Sequence, residues 1–408
     1  MATVETHDGI AGPSADGRPK PWLFAVLAAA LLVPAAIYLV YGIGYNLLVE
    51  GPGLLNADGS ATGVDFVAFY SAAMELWQHG AVGVYDPAVL NVAQDAAVRA
   101  DIDPVPFAYP PPYLFYVAPL AALPYIPALW AWLVILAALC LVALWRLAPH
   151  PLTPAVALFF PALAQSFLGG QNGLLTVALL AGGVLLLERR PRMAGVLFGL
   201  MIFKPHIAVL VPLCLLAGRH YTAFRAVAVT GAAMMLASVV AFGVEPWLLF
   251  VEAVPRSLAL IVDLRVPWER MPTAFVTVFH LTGDPVAARA VQAVSSVAAI
   301  AVCLWVWRRS DDFGLRTLAL AASVPLVTPY AFDYDLAVLA VPIAILGWRA
   351  WREGLRDGDL LLLIALWVAP LMLWMTSRAI ELQIGPIFFA ALLVYVVRTV
   401  AGRATPTT

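Results

Sequence analysis

Apolar runs of membrane-crossing or near-crossing length recur along the whole chain, and one longer stretch of mixed polarity, 63–112, interrupts them. Runs of this length predict helices, since a membrane barrel would show alternating segments of about ten residues instead. The first run, 22–48, is longer than a signal-peptide core and reads as a retained anchor. Further runs predict helices over 126–147 and 154–168, then one ending at Glu188-Arg189-Arg190-Pro191-Arg192. Lys204-Pro205-His206 divides the run 193–218, which predicts a broken hairpin whose turn lines a cavity if it lies within the membrane. A helix over 224–243 leads to 244–284, where Glu245-Pro246-Trp247 and Pro267-Trp268-Glu269-Arg270 predict interfacial helices and loops. Five more helices follow: one ending at Arg308-Arg309, one over 314–327, one from Asp335 to Arg349, and a hairpin pair around Ser377-Arg378. The pattern is that of an all-α polytopic membrane protein with about twelve crossing helices.

Arginine and lysine placement orients this array, because cytoplasmic loops carry the excess. Sixteen of the 23 basic residues fall on one side, which places both termini in the cytoplasm. The first twenty residues, polar and Gly/Pro-rich, predict a disordered cytoplasmic segment, followed by one membrane domain, 21–403, and a short tail, 404–408. The outer face then holds a first loop, 49–112, an interfacial segment, 113–124, too short to cross, and a second outer segment, 244–284.

Composition agrees: 63% hydrophobic and 12% charged residues exclude a soluble globular domain. The formal net charge of −2 says nothing about partners, and no basic stripe of the kind a nucleic-acid partner requires is present, so none is expected. Cys140, Cys214 and Cys303 sit in apolar runs as small hydrophobes, and His79, His150, His206 and His280 are too scattered for a zinc site. No internal repeat of the kind that marks many transporters is visible.

The candidate chemistry lies at the ends of the runs. Asp65 precedes Phe66, Phe69, Tyr70, Ala73, Leu76 and Trp77 at helical spacing, which predicts an amphipathic helix on the outer membrane surface. Asp65 either caps that helix or serves, beside aromatic walls, as a general base for a hydroxyl acceptor. Tyr85-Asp86-Pro87 is a better capping pattern, with proline at the first helical position. Tyr109-Pro110-Pro111-Pro112 predicts a rigid extended link, and Tyr109 and Tyr113 are placed to line a site. Lys204, in a hydrophobic hairpin, either snorkels or faces a cavity and an anionic ligand such as a lipid phosphate, and His206 shares its options. Asp333 and Asp335 either cap the next helix or form an acidic site. Arg256, Arg265, Arg270 and Arg378 are outer cations that either bind phosphate or face solvent.

In this order the motifs resemble the polyprenol-phosphate-sugar-dependent glycosyltransferases of family 87, once catalogued as a domain of unknown function. The resemblance runs over Asp65-Phe66, Val84 to Pro87, Tyr109-Pro110-Pro111, Gly170-Gln171-Asn172, Lys204-Pro205 and Thr328-Pro329-Tyr330 with Tyr334-Asp335. It implies a GT-C-like bundle in the inner membrane of a bacterial-type cell, with an extracytoplasmic site. A polyprenyl-phosphate-sugar donor, carrying mannose, and a lipid or glycan acceptor follow from it. Asp65 becomes the expected catalytic base, and Lys204, His206, Arg256 and Arg378 the expected donor-phosphate ligands. Tyr70, Asp86, Tyr109, Tyr113, Gln171, Asn172, Tyr330, Asp333 and Asp335 are expected to line the substrate site. No cofactor and no metal is expected. Phe332-Asp333-Tyr334-Asp335 departs from the Trp-Asp-His-His of mycobacterial relatives, so the acceptor is left open. The rival class is a transporter or lipid flippase, which would concentrate its polar groups near the bilayer midplane.

Overall fold

The computed structural model describes residues 21–404, apart from residue 51 and residues 264–266. The N-terminal segment, residues 405–408 of the tail and Arg265 therefore fall outside the described residues, as does the side chain of Arg256. Helix dominates, and the described residues contain no strand beyond one antiparallel bridge, Leu55 to Ala61.

Helix α1 (Pro21–Leu47) leads through a loop to α2 (Phe66–Gln78) and α3 (Pro87–Val98). The proline link then turns through a short α4 (Leu114–Val117) into α5 (Tyr125–Leu147), whose 23 residues span roughly 35 Å. The helix expected over 154–168 is two pieces, α6 (Thr153–Leu158) and α7 (Pro161–Leu168). The chain breaks between them at Phe160, which is extended because Pro161 follows it. After α8 (Gly173–Leu186), the divided run forms α9 (Pro191–Gly199) with a 3₁₀ extension to Phe203, then α10 (Pro205–Ala208) and α11 (Leu210–Ala217). The predicted break stands at Lys204, where Pro205 offers no N–H to continue the first arm. Next come α12 (Tyr221–Phe242), α13 (Glu245–Val262), α14 (Ala274–Thr282), α15 (Pro285–Arg309) and α16 (Phe313–Val327). A 3₁₀ turn, Asp333–Leu339, opens α17 (Ala340–Glu353), and α18 (Asp359–Ile380) and α19 (Gly385–Ala404) close the chain.

Six stretches among the described residues are long and apolar enough to cross a membrane: α5, α12, α15, α18, Asp333–Glu353 and Gly385–Gly402. Five apolar helical stretches are shorter: Leu31–Leu47, Gly173–Leu186, Pro191–Phe203, Pro205–Ala217 and Phe313–Val327. Small residues let these short helices pack closely. A Cβ at Gly195 would strike the Ala223 carbonyl and one at Gly199 would strike Thr230, so this small-xxx-small face of α9 lies directly on α12.

The expectation of a surface-lying α2 is overturned. Phe66, Val67, Ala68, Phe69, Ala72 and Ala73 are all buried, under α3 and the 3₁₀ segment Ala118–Ala122. Only its end, at Trp77 to His79, is exposed. Helical spacing alone does not separate a membrane-surface helix from one covered by its own loops.

The start of α2 is locked against the turn between α7 and α8. Gly170 has φ +65°, and a Cβ there would lie 2.5 Å from the Gly63 carbonyl oxygen and 2.6 Å from Phe66 Cβ. The Asp65 N–H donates to the Gly169 carbonyl at 3.2 Å, and Trp132 Nε1 donates to the Gly170 carbonyl at 3.1 Å. Gly170→Ala is expected to destabilise the protein by roughly 2–5 kcal/mol, from left-handed strain plus overlap. Thermal unfolding of the detergent-solubilised protein checks this, and an unchanged transition would show that the turn is not a lock.

Candidate active site

Four polar breaks meet around one cavity of about 220 Å³. The start of α2 contributes Asp65, Ala68 and Phe69, and the proline link contributes Tyr109. The Gly-Gly-Gln-Asn turn contributes Gln171, and the broken hairpin contributes Phe203, Lys204, Pro205 and His206. Arg270, and Tyr330, Phe332, Tyr334 and Asp335 ahead of α17, close it.

Asp65 occupies the N-cap position of α2, yet its side chain makes no capping hydrogen bond. The capping reading is therefore overturned. Asp65 Oδ2 instead accepts from Gln171 Nε2 at 2.7 Å, and Gln171 Oε1 accepts from the Tyr109 hydroxyl at 3.2 Å. Loss of hydration pushes the Asp65 carboxyl above the ordinary carboxylate range, against the opposing pull of Gln171 and Arg270, and Asp333 adds to the rise. Burial also holds the Tyr109 phenol well above its usual value, with Tyr113, Asp335 and Asp65 reinforcing it, so this hydroxyl keeps its proton.

Across the cavity, Lys204 is 3% exposed, which rules out snorkelling. Its Nζ pairs with Asp335 Oδ1 at 2.5 Å. Asp335 Oδ2 takes the Phe332 N–H at 3.0 Å, so the carboxylate both caps its turn and balances the lysine. Asp333 forms a two-point pair with Arg270, Oδ2 to Nε at 2.8 Å and Oδ1 to Nη2 at 2.9 Å. The alternatives of cap or acidic site thus coexist at Asp335, whereas Asp333 is committed to Arg270 and to the N–H of the next residue. The Tyr334 ring lies between the two cations, 5.6 Å from Lys204 Nζ and 6.0 Å from Arg270 Cζ. His206 Nε2 is 3.9 Å from Asp335 Oδ1 and has no hydrogen-bond partner among the described residues.

The structure thus gathers Asp65, Tyr109, Gln171, Lys204, His206, Tyr330 and Asp335 on one cavity, with Asp333 behind it through Arg270. Tyr113 and Asn172 are buried behind the wall, where Asn172 Nδ2 donates to the Tyr113 hydroxyl at 2.9 Å. Three expected residues stand elsewhere. The Tyr70 hydroxyl donates to the Leu123 carbonyl at 3.0 Å, and its ring faces a different cavity, because it lies on the far side of α2 from Asp65. Asp86 is exposed and caps α3 by accepting from the Ala88 N–H at 2.9 Å. Arg378 is exposed, with its Nε 4.0 Å from Glu269 and its guanidinium over Trp374. Conversely, Arg270 and Tyr334 are central although neither was among the expected donor-phosphate ligands or site-lining residues. The Pro-Trp-Glu-Arg cluster marked an outer loop, and nothing local distinguished Arg270 from its neighbouring arginines.

The fold and the cavity define a helical membrane protein in which carboxylates and cations from distant segments share one cavity. The model of glycosyltransferase family 87 matches residues 107–329, more than half of the chain. The chain belongs to that family and is a membrane glycosyltransferase. The matched span includes Lys204 and Arg270, whereas Asp65 and Asp335 flank it and are tied to it by the contacts above. No curated protein and no solved structure matches the chain.

Proposed function

We propose that this protein transfers a single sugar, mannose, from a polyprenyl-phosphate donor to a hydroxyl of a lipid or glycan acceptor on the extracytoplasmic face of a bacterial-type inner membrane. One observation carries the reading: a carboxylate with one oxygen uncommitted shares a small cavity with two cations. Asp65 Oδ1 makes no hydrogen bond among the described residues, whereas Oδ2 is held by Gln171. A volume of about 220 Å³ is below the roughly 300–1,000 Å³ of sites for drug-sized ligands, which suits one pyranose ring.

Asp65 takes the proton of the acceptor hydroxyl as its oxygen attacks the anomeric carbon, and the bond to the lipid phosphate breaks on the opposite face. The configuration inverts. Lys204 has ammonium protons beyond the one given to Asp335, and Arg270 has guanidinium protons beyond the two given to Asp333, so both cations can receive the departing phosphate without abandoning their carboxylates. Phe69, Phe332 and Tyr334 supply apolar walls for the ring. No metal or cofactor enters this mechanism. In the same proposal the bundle has a GT-C-like arrangement of about twelve crossings, completed by the shorter apolar helices together with the non-helical segments around the cavity.

The test is transfer from labelled polyprenyl-phosphate-mannose to a membrane lipid extract by the purified protein. Because a base acts only when ionised, and the Asp65 carboxyl is raised, activity is expected to fall on acidification at a pH above the ordinary value of about 4. A flat profile down to that value would remove Asp65 from the role. Absence of transfer from any lipid-phosphate sugar would overturn the proposed function.

A further inference from the structure

Tyr109 lies two hydrogen bonds from Asp65, and the group between them is an amide whose two ends differ. Gln171 Nε2 donates to Asp65 Oδ2 at 2.7 Å, while Gln171 Oε1 accepts from the Tyr109 hydroxyl at 3.2 Å. An ionised carboxylate only accepts hydrogen bonds and therefore requires the NH₂ end of the amide. A protonated carboxyl donates, and it is satisfied by the oxygen end. Turning the amide over thus exchanges an environment that favours the carboxylate for one that favours the acid. By donating to Oε1, Tyr109 opposes that turn, and the Asn172 N–H, which reaches the same oxygen at 3.4 Å, adds a longer and weaker bond. We infer that Tyr109 is a positioning residue for Asp65, acting through the Gln171 amide to keep the carboxylate in its proton-accepting form with Oδ1 free for the acceptor hydroxyl. The inference rests on Asp65 being the base of the transfer reaction.

The surroundings make Tyr109 suited to this task. Its ring stacks on Tyr113 at 4.3 Å between centroids and meets the edge of Phe69 at 5.5 Å, so its position does not depend on the hydroxyl. Tyr85 also fixes the backbone there, donating its hydroxyl to the Tyr109 carbonyl at 3.0 Å. The other groups acting on Asp65 are Arg270, Asp333, Tyr330 and Tyr334, and Lys204, His206 and Asp335 line the same cavity. None of them hydrogen-bonds to Gln171 among the described residues, so removing the Tyr109 hydroxyl leaves their contacts in place.

The experiment compares the full-length parent with Tyr109→Phe, Gln171→Leu and Tyr70→Phe in lipid nanodiscs. Infrared difference spectra across pH follow the protonated carboxyl band of Asp65, assigned by its loss in Asp65→Asn. In Tyr109→Phe the midpoint is expected to rise by about one pH unit, the size of one hydrogen bond to a charged group. The kcat for transfer is expected to fall about fivefold at the parent's midpoint and to approach about a tenfold loss below it, with KM for the donor unchanged. Gln171→Leu is expected to shift the midpoint at least as far, and Tyr70→Phe to shift neither midpoint nor kcat. An unmoved midpoint in Tyr109→Phe, or a raised donor KM with unchanged kcat, would overturn the inference. The infrared midpoint is read without substrate, so a failure of this inference is distinguishable from absence of transfer in the parent, which would overturn the proposed function instead.

Discussion

Asp65→Asn is expected to lower sugar transfer by about 10²–10⁴-fold, the range that general base catalysis supplies. The amide cannot accept the acceptor's proton, yet it has nearly the same shape and can still bond to Gln171 through its oxygen. Stability is expected to move the other way. The Asp65 carboxyl is raised in the folded protein, so its favourable contribution is present below the unfolded value and is lost as pH rises through the folded one. Wherever the group is ionised it is a burden on the fold, and asparagine removes it. The variant should therefore unfold at the same or a higher temperature while being nearly inactive. Transfer at the parental rate would eliminate Asp65 as the base. A lowered unfolding temperature would instead show that the carboxylate supports the structure.

The largest stability effect is expected from Asp335→Ala. Lys204 and Asp335 are 3% and 5% exposed, and their pair joins the broken hairpin to the turn before α17. Alanine leaves a buried ammonium without its counter-charge, which costs roughly 3–5 kcal/mol. It also frees the Phe332 N–H that Asp335 Oδ2 accepts from. The double replacement Lys204→Met with Asp335→Leu removes both charges, and it is expected to recover a large share of the unfolding temperature. Donor affinity should not recover with it, because the cation proposed to receive the phosphate is gone. Equal destabilisation of single and double variants would show that charge imbalance is not the cause. Donor affinity unchanged in the double variant would remove Lys204 from the phosphate site.

Several site residues were legible because they violate their surroundings. Lys204 is a charge inside an apolar run, and Asp65 and Asp335 are carboxylates at the edges of such runs, where each must be solvated, paired or used. The partnerships were not legible. Asp65 and Gln171 are 106 residues apart, and Lys204 and Asp335 are 131 apart. Arg270 illustrates the limit: in sequence it is one of four outer arginines, and only its two-point pair with Asp333 singles it out. Arg378, from the same group, sits exposed beside Glu269. Tyr70 and Asp65 shared one motif yet face different cavities, because five residues along a helix turn the side chain to the far side.

By itself the sequence determined the membrane-helical class, the positions of most helices and the break at Lys204-Pro205. These follow from run length and from proline's missing donor, which act locally whatever the rest of the chain does. Only the tertiary structure decided that α2 is covered, that Asp65 is held by Gln171 rather than capping its helix, and that each cation carries its own aspartate. Those outcomes depend on which distant polar breaks packing brings together, and a buried charge takes whichever partner then lies within reach.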